Sequence, residues 1–307
     1  MKLSYKDISM EIICGLFGKS RQGYYQKQQE EARKSLEEKI IVDMVRNERK
    51  KMPRLGGRKL YHILQPSFEV QGISIGRDKL FNILSANNLL ITKQKRHTKT
   101  TTSQRWLNRF DDLTIGLELQ HSEQLWVSDI TYIRLKTDFC YLSLITDAYS
   151  RKIIGWSLGE NLETKFCVSA LNMAIEGKQR SCALIHHSDR GSQYCSRQYV
   201  KILTDNKILS STCQNGSPYE NALAERINGF VKIDFECDEI FENFSTAYEK
   251  IKTAIHTYNT EYPHGSLNFL TPQQAELEEG TLKKRWKKYP YRQSVQLAEP
   301  IDDMAIS

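Results

Sequence analysis

The sequence predicts an α/β protein, with a mixed-sheet core preceded by a small helical region. Three observations lead there. Apolar residues recur at helical spacing up to about residue 91, strand-like runs of β-branched and aromatic residues begin at Trp126, and the charge changes sign between the two parts. Residues 1–105 hold 22 Lys and Arg against 10 Asp and Glu, a net +12. Residues 106–280 hold 16 against 24, a net −8, and residues 281–307 hold 6 against 3, a net +3. Basic ends suit a polyanion, most simply nucleic-acid phosphates, although solvated charge gives the same count. An acidic middle would repel that polyanion unless its carboxylates carry cations.

A length of 307 residues accommodates two or three units. Apolar residues at 39% and charged residues at 26% suit a globular protein in water. No apolar run reaches the roughly 18 to 20 residues a membrane-spanning helix needs. The N-terminal MKLSYKDISMEII carries charges where a signal peptide has its apolar segment. The expectation is a cytoplasmic protein with no membrane partner. The 7 cysteines are scattered, with no C-x-x-C pair, and read as reduced structural thiols rather than a zinc or redox site.

Within the helical region, Ile8, Ile12, Ile13 and Leu16 line one helix face, Gly18 breaks it, and Ser20 is placed to cap a second helix bearing Arg21, Tyr24 and Tyr25. SLEE at 35–38 has the spacing of a capping box opening a further helix, with Leu36, Ile40, Ile41, Met44 and Val45 in register. A short helix follows around Arg58 to Leu64. Ser74 is expected to cap another, with Leu80, Ile83 and Leu84 buried and Arg77 and Lys79 exposed. Short helices joined by glycine turns fit a helix-turn-helix that sets one helix in a DNA groove; any small helical bundle reads the same way. The stretch TKQKRHTKTTTSQR at 92–105 lacks apolar periodicity and reads as a linker whose charges, Lys95 and Arg96 among them, could track a phosphate backbone.

From Trp126 the runs LWVSDITYI, CYLSLITDAYS and KIIGWSLG predict three strands in an antiparallel meander. A helix over Glu163 to Gly177, a strand ALIHH, a helix capped by Ser196, a short strand LSSTC and a long helix Asn221 to Phe235 complete the order βββαβαβα. Trp126 and Trp156 read as core.

Three carboxylates have matching placements: Asp129 within the first strand, Asp189 at the end of the fourth, and Glu225 one turn into the long helix, with 35 residues between the last two. Singly, an Asp at a strand end is a common turn former and a helical Glu is commonly solvated. Brought together without a cation they would repel, since two like charges about 4 Å apart cost on the order of 4 kcal/mol at an effective dielectric of 20. Carboxylate oxygens suit Mg²⁺, and two such ions about 3.5 to 4 Å apart stabilise both the attacking and the leaving oxygen of an in-line phosphoryl transfer. Lys232 lies 7 residues after Glu225, two helical turns along the same face, where it could meet a phosphate. Asn221 and Asn228 flank Glu225 by a turn on either side. An ordinary amphipathic helix also explains this stretch, because Ala222, Leu223, Ile227, Phe230 and Val231 supply a core side. His186 and His187 read as strand-end packing or substrate-side contacts rather than metal ligands.

The motifs WVSDITYI (126–133), YLSLITDAYSRKIIGW (141–156), HHSDRGSQY (186–194), NALAERINGFVK (221–232) and YNTEYPHGSLNFLTP (258–272) resemble those of the DDE transposases of bacterial insertion sequences, in the retroviral-integrase superfamily. The likeness is to the second-reading-frame catalytic product of copy-out, paste-in elements, and it covers most of the chain. It implies an RNase H-like catalytic core with Asp129, Asp189 and Glu225 as both catalytic and metal-binding triad, two Mg²⁺ ions as cofactor, and Mn²⁺ as their substitute. Lys232 matches the family's basic residue after the glutamate. The retroviral N-terminal zinc module finds no matching Cys and His spacing here. Glu220 stands where the family commonly has Asp, a mild change, and Tyr262 stands where an Arg often precedes Pro-His, which removes a phosphate or carboxylate contact.

The expected organisation is a helical helix-turn-helix-like region at 1–91, a basic linker and lead-in at 92–120, an RNase H-like integrase core at 121–280 and a basic tail at 281–307 containing Lys283, Lys284, Arg285, Lys287 and Lys288. The expected function is metal-dependent DNA cleavage and strand transfer at insertion-sequence ends. Its rivals are an RNase H-like nuclease without joining activity and a catalytically silent DNA-binding regulator. Expected DNA contacts are Lys232, Arg226, Asn221, Asn228, Arg190, Arg77, Lys79, Lys95 and Arg96. Expected partners are double-stranded DNA (terminal inverted repeats and target), further copies of the chain on that DNA, and an upstream-reading-frame DNA-binding product, separate or fused by frameshifting.

Overall fold

A computed structural model describes residues 9–92, 110–213 and 222–282. The linker residues Lys95 and Arg96, Asn221, Glu220 and the basic tail from Lys283 lie outside the described residues.

Five strands form one sheet among the described residues: β1 (Leu125–Arg134), β2 (Phe139–Asp147), β3 (Ile153–Gly159), β4 (Leu184–Ser188) and β5 (Ile208–Thr212), in the order β3-β2-β1-β4-β5. The first three run antiparallel as the meander predicts, while β4 and β5 join parallel to β1. This is the RNase H-like mixed sheet that the motifs imply, with β1 at its centre. Helix α5 (Thr164–Glu176) makes the crossover to β4 and packs on β2 and β3. Its approach requires Gly155, where a Cβ would stand 2.2 Å from the Ala170 carbonyl oxygen. Helix α6 (Arg197–Asp205) is capped by Ser196, whose side chain accepts from the Tyr199 N–H, as its position predicts.

Two apolar layers cover the sheet. Trp126, Ile145, Cys167, Leu171, Tyr199 and Leu203 fill one. The other is shared with the helical region: Val45, Met52, Leu55, Leu60, Leu64, Leu80 and Leu84 belong to the same cluster as Ile133, Leu142, Leu144, Ile227, Val231, Phe235, Tyr258 and Tyr262. Each such side chain contributes about 1.5 to 3 kcal/mol on full burial, so the two parts stabilise each other.

Here α1 (Met10–Leu16), α2 (Arg21–Lys51), α3 (Gly57–Val70) and α4 (Arg77–Ala86) follow one another. Ser20 caps α2 by accepting from the Gly23 N–H at 3.0 Å. Ser35, expected to open a new helix, sits inside α2 instead. Because α2 already runs through it, the amide groups that a cap would satisfy bond to the preceding turn. Ion pairs Lys27–Glu31, Glu30–Lys34 and Arg33–Glu37 support this exposed stretch at i,i+4 spacing. The face expected on α1 is not buried: Ile12 is 59% and Leu16 77% exposed. Helix α3 outruns its expected end and continues through Pro66 to Val70, held by the buried row Leu60, Leu64 and Phe68. Gly76, not Ser74, precedes α4, since Ile73 is buried and keeps the chain extended. Leu80, Ile83 and Leu84 are buried and Arg77 and Lys79 exposed, as the spacing predicts.

The long helix expected over 221–235 divides. Helix α7 (Ala222–Gly229) passes into a π-helical turn, Phe230–Asp234. Helix α8 (Phe244–Glu261) then crosses the shared layer, opened by a capping box between Asn243 and Thr246. A final short helix, α9 (Pro272–Ala275), ends the described chain. Among the described residues no helix is long and apolar enough to cross a membrane.

Candidate active site

Strand register brings two of the three carboxylates side by side. Ser128 on β1 is the Cα partner of Ser188 on β4, so Asp129, within β1, and Asp189, the residue after β4, follow that pair on adjacent parallel strands. Helix α7 lies across β1 and β2 and carries Glu225 in its first turn, exposed.

Asp129 is held by one side chain: Asn228 on α7 donates from Nδ2 to Asp129 Oδ2 at 2.8 Å. Burial first, then the nearby Asp189 and more weakly Glu225, together push the Asp129 carboxyl up to about 7, against the opposing pull of the Asn228 hydrogen bond. Asp189 accepts from the Gly191 N–H at 2.9 Å through Oδ1, which fixes its carboxylate over the turn. Its carboxyl is also raised, by the protein packed around it and against the pull of that N–H.

A fourth acidic residue at a strand end shows the alternative role. Asp147, at the end of β2, is 2% exposed and accepts from Glu123 N at 2.7 Å, Tyr149 N at 3.1 Å, Ser150 N at 2.7 Å and Ser150 Oγ at 2.7 Å. Both its oxygens are used in building the turn. Asp129, by contrast, has the Asn228 amide as its one side-chain donor among the described residues, and feels the charges of Asp189 and Glu225.

The donor set fits a hard divalent cation. Asp189 and, more weakly, Glu225 raise the cost of ionising Asp129, which a bound cation would reverse. Beside them Asn228 Oδ1 is buried with no hydrogen-bond partner among the described residues. In this conformation no group of three His, Cys, Asp or Glu side chains among the described residues is gathered closely enough to hold a metal. Asp129 and Asp189 are neighbours by register, and Glu225 is exposed on α7.

The other expected site residues are placed as follows. Lys232 falls within the π-helical turn, so the count of two regular helical turns from Glu225 does not apply to it. Its Nζ donates to the Tyr132 carbonyl at 2.8 Å and lies 3.3 Å from Thr131 Oγ1, both on β1, and burial lowers its pKa. Asn228, expected at DNA, is 4% exposed and turned to Asp129. Arg190 is half-buried with Nε on the Cys213 carbonyl at 2.6 Å. Arg226 is exposed, next to Glu225. Arg77 is exposed, with Nε 2.8 Å from Asp78 Oδ1, and Lys79 is exposed beside it.

His186 and His187 are packing groups. His186 Nε2 lies 2.7 Å from Ser128 Oγ and 2.9 Å from the Tyr199 hydroxyl, and burial pushes its pKa down to about 3. His187 Nδ1 is 2.9 Å from Ser211 Oγ. Both imidazoles tie β4 to its neighbours below the Asp189 turn. Sequence reasoning missed the Asn228 role, although its place one turn after Glu225 on the same face was the signal for it.

Residues 120–218 match the integrase core domain family, and residues 206–272 match a second family of the same description. The chain is 31% identical over 272 residues to a 31 kDa protein of insertion element IS600 from Shigella sonnei, covering 85% of this chain and 96% of that one. It is 30% identical over 206 residues to the transposase for insertion sequence element IS629 of Shigella sonnei, covering 67% of this chain and 69% of the relative. Among solved structures, the HTLV-2 integrase catalytic core domain in complex with magnesium is similar at 21% identity over 51% of this chain and 97% of that chain, with a TM-score of 0.41.

Proposed function

The chain belongs to the transposases of insertion sequences that carry an integrase core domain, and on that premise we propose that Asp129, Asp189 and Glu225 are its catalytic, metal-holding carboxylates. As a member of that family it cleaves DNA strands and transfers them by phosphoryl transfer. The observation that carries the assignment is the β1–β4 register, which sets Asp129 beside Asp189 under a helix that bears Glu225.

Asp129, Asp189 and Glu225 would hold Mg²⁺, two ions, with Mn²⁺ able to replace it. When bound, the cation supplies Lewis-acid polarisation of the scissile phosphate and acidifies the attacking water or 3′-hydroxyl. Asn228 orients the Asp129 carboxylate, and the Gly191 N–H orients that of Asp189. Rigid strands under both carboxylates limit the reorganisation needed at the moment of reaction.

In this reading α3 and α4 form the helix-turn-helix, with exposed Arg77 and Lys79 toward DNA. Arg226, Arg190, Lys232, Lys95, Arg96 and Asn221 serve the phosphate backbone closer to the core. Double-stranded terminal repeats and target DNA are the substrates, copies of the chain hold both ends, and an upstream-frame product or fusion adds DNA affinity.

The test is incubation of pre-cleaved terminal-repeat ends with the protein and Mg²⁺. Joined product is expected. Cleavage without joining would make the protein a nuclease, and end binding with neither would make it a silent regulator.

A further inference from the structure

We propose that Lys59, which lies outside the residues matching the integrase core, is a positioning residue for the reaction, clamping from α3 the π-helical turn that follows the Glu225-bearing helix. The inference rests on the assignment of Glu225 given above.

Lys59 touches both ends of that turn. Its Nζ stands 4.8 Å from the ring centroid of Phe230, the first residue of the turn, and 3.6 Å from Oδ2 of Asp234, the last. It also donates to the Tyr262 hydroxyl and lies 3.6 Å from the Tyr262 ring centroid. Tyr262 is fully buried, and its hydroxyl donates in turn to Asp234 Oδ2. The backbone repeats the connection, since Arg54 N donates to the Asp234 carbonyl at 3.1 Å. Met52 and Leu55, both 0% exposed, pack in the same cluster as Ile227, Val231 and Phe235.

A π-helical turn is less favourable than the α-helix it interrupts and persists where its surroundings hold it. Winding five residues this way fixes the rotation of what precedes them. What precedes them is α7, with Glu225 in its first turn and Asn228 against Asp129. If the turn relaxed into regular α-helix, α7 would rotate relative to β1 and both side chains would leave their places. An ionic clamp on Phe230 and Asp234 opposes that relaxation.

The groups facing Lys59 are Asp234 and Arg226 from the α7 segment, and Tyr262 and His264 after α8; Arg54 reaches Asp234 from the α2–α3 junction. Burial lowers Lys59 to about 8, with Asp234 opposing that shift and Arg226 adding to it. The clamp is therefore charged at neutral pH and loses its proton at mildly alkaline pH.

The experiment compares wild type with Lys59→Met, which keeps the alkyl stem and removes the charge, and with Asp234→Asn, which removes the anion in case the first variant does not fold. Expected are repeat-end affinity within twofold of wild type, strand transfer reduced at least tenfold, and a wild-type advantage that shrinks as pH rises above about 8. Ethylammonium restores transfer to Lys59→Ala where equal sodium chloride does not. Hydrogen exchange speeds up in residues 222–234 and stays unchanged in β1 and β2. Transfer within twofold of wild type, or faster exchange confined to α2 and α3, overturns the proposal. Absence of joined product from wild type itself overturns the functional reading instead, and the exchange result then decides the clamp alone.

Discussion

Asn228 on α7 donates to Asp129 on β1 at 2.8 Å, the one side-chain hydrogen bond to that carboxylate among the described residues. It joins the helix that carries Glu225 to the strand that carries Asp129, so a single amide sets the spacing across the site.

Replacing Asn228 by Leu is expected to leave the fold in place and to weaken Mg²⁺ use by about 10- to 100-fold, the range for a group that orients a metal ligand. A Mg²⁺ titration of strand transfer reads this as a raised half-saturation with end binding kept. An unchanged titration would assign Asn228 to packing alone.

Asp129 and Asp147 give opposite stability predictions, although both are acidic residues of neighbouring strands. Asp129→Asn removes a raised carboxyl from beside Asp189, and the metal-free protein is expected to gain thermal stability at pH 8 while losing activity. Asp147→Asn loses acceptor capacity in a turn with four donors and is expected to cost about 1 to 3 kcal/mol. Thermal melts of both variants decide it, and a loss of stability in Asp129→Asn would count against the crowded-carboxylate account.

The pH dependence follows from the same group. A folded-state pKa of about 7 lies above the ordinary aspartate value, so its contribution to metal-free stability is complete below about pH 4 and is lost as pH rises through 7. A metal ligand must be deprotonated, so Mg²⁺ binding releases a proton below pH 7 and tightens from pH 6 to pH 8. Melts with and without millimolar Mg²⁺ should show a larger stabilisation at pH 8; an equal one at both values would contradict the assigned shift.

Gly155→Ala tests the packing of the crossover helix. A Cβ 2.2 Å from the Ala170 oxygen forces α5 off the sheet, and overpacking of this kind costs typically about 1 to 3 kcal/mol or more. The urea midpoint should fall, and an unchanged midpoint would mean that α5 adjusts freely.

Much of the sheet was legible because each strand carries its own signal. The runs at Trp126, Tyr141 and Ile153 are β-branched and aromatic, and the Asp189–Glu225 spacing survives whatever lies between. Asp129 and Asp189 could be paired from sequence only as a possibility; the Ser128–Ser188 register makes them neighbours. Features that depend on distant chain were not legible. Ser35 has the local pattern of a cap, but whether a helix already runs through it is decided upstream at Ser20. The π-helical turn leaves no mark in apolar spacing, and Lys232 was aligned with Glu225 on the assumption of regular winding. Tyr262 looked like a lost cationic contact, and its partners Lys59 and Asp234 lie 203 and 28 residues away in the chain.

The most direct test of the central claim is strand transfer by Asp189→Asn. Asn keeps the shape and can accept from the Gly191 N–H, so the turn and repeat-end binding should persist while joined product disappears in Mg²⁺. Undiminished joined product from this variant would contradict the assignment of Asp189, and with it the metal site built on Asp129 and Glu225.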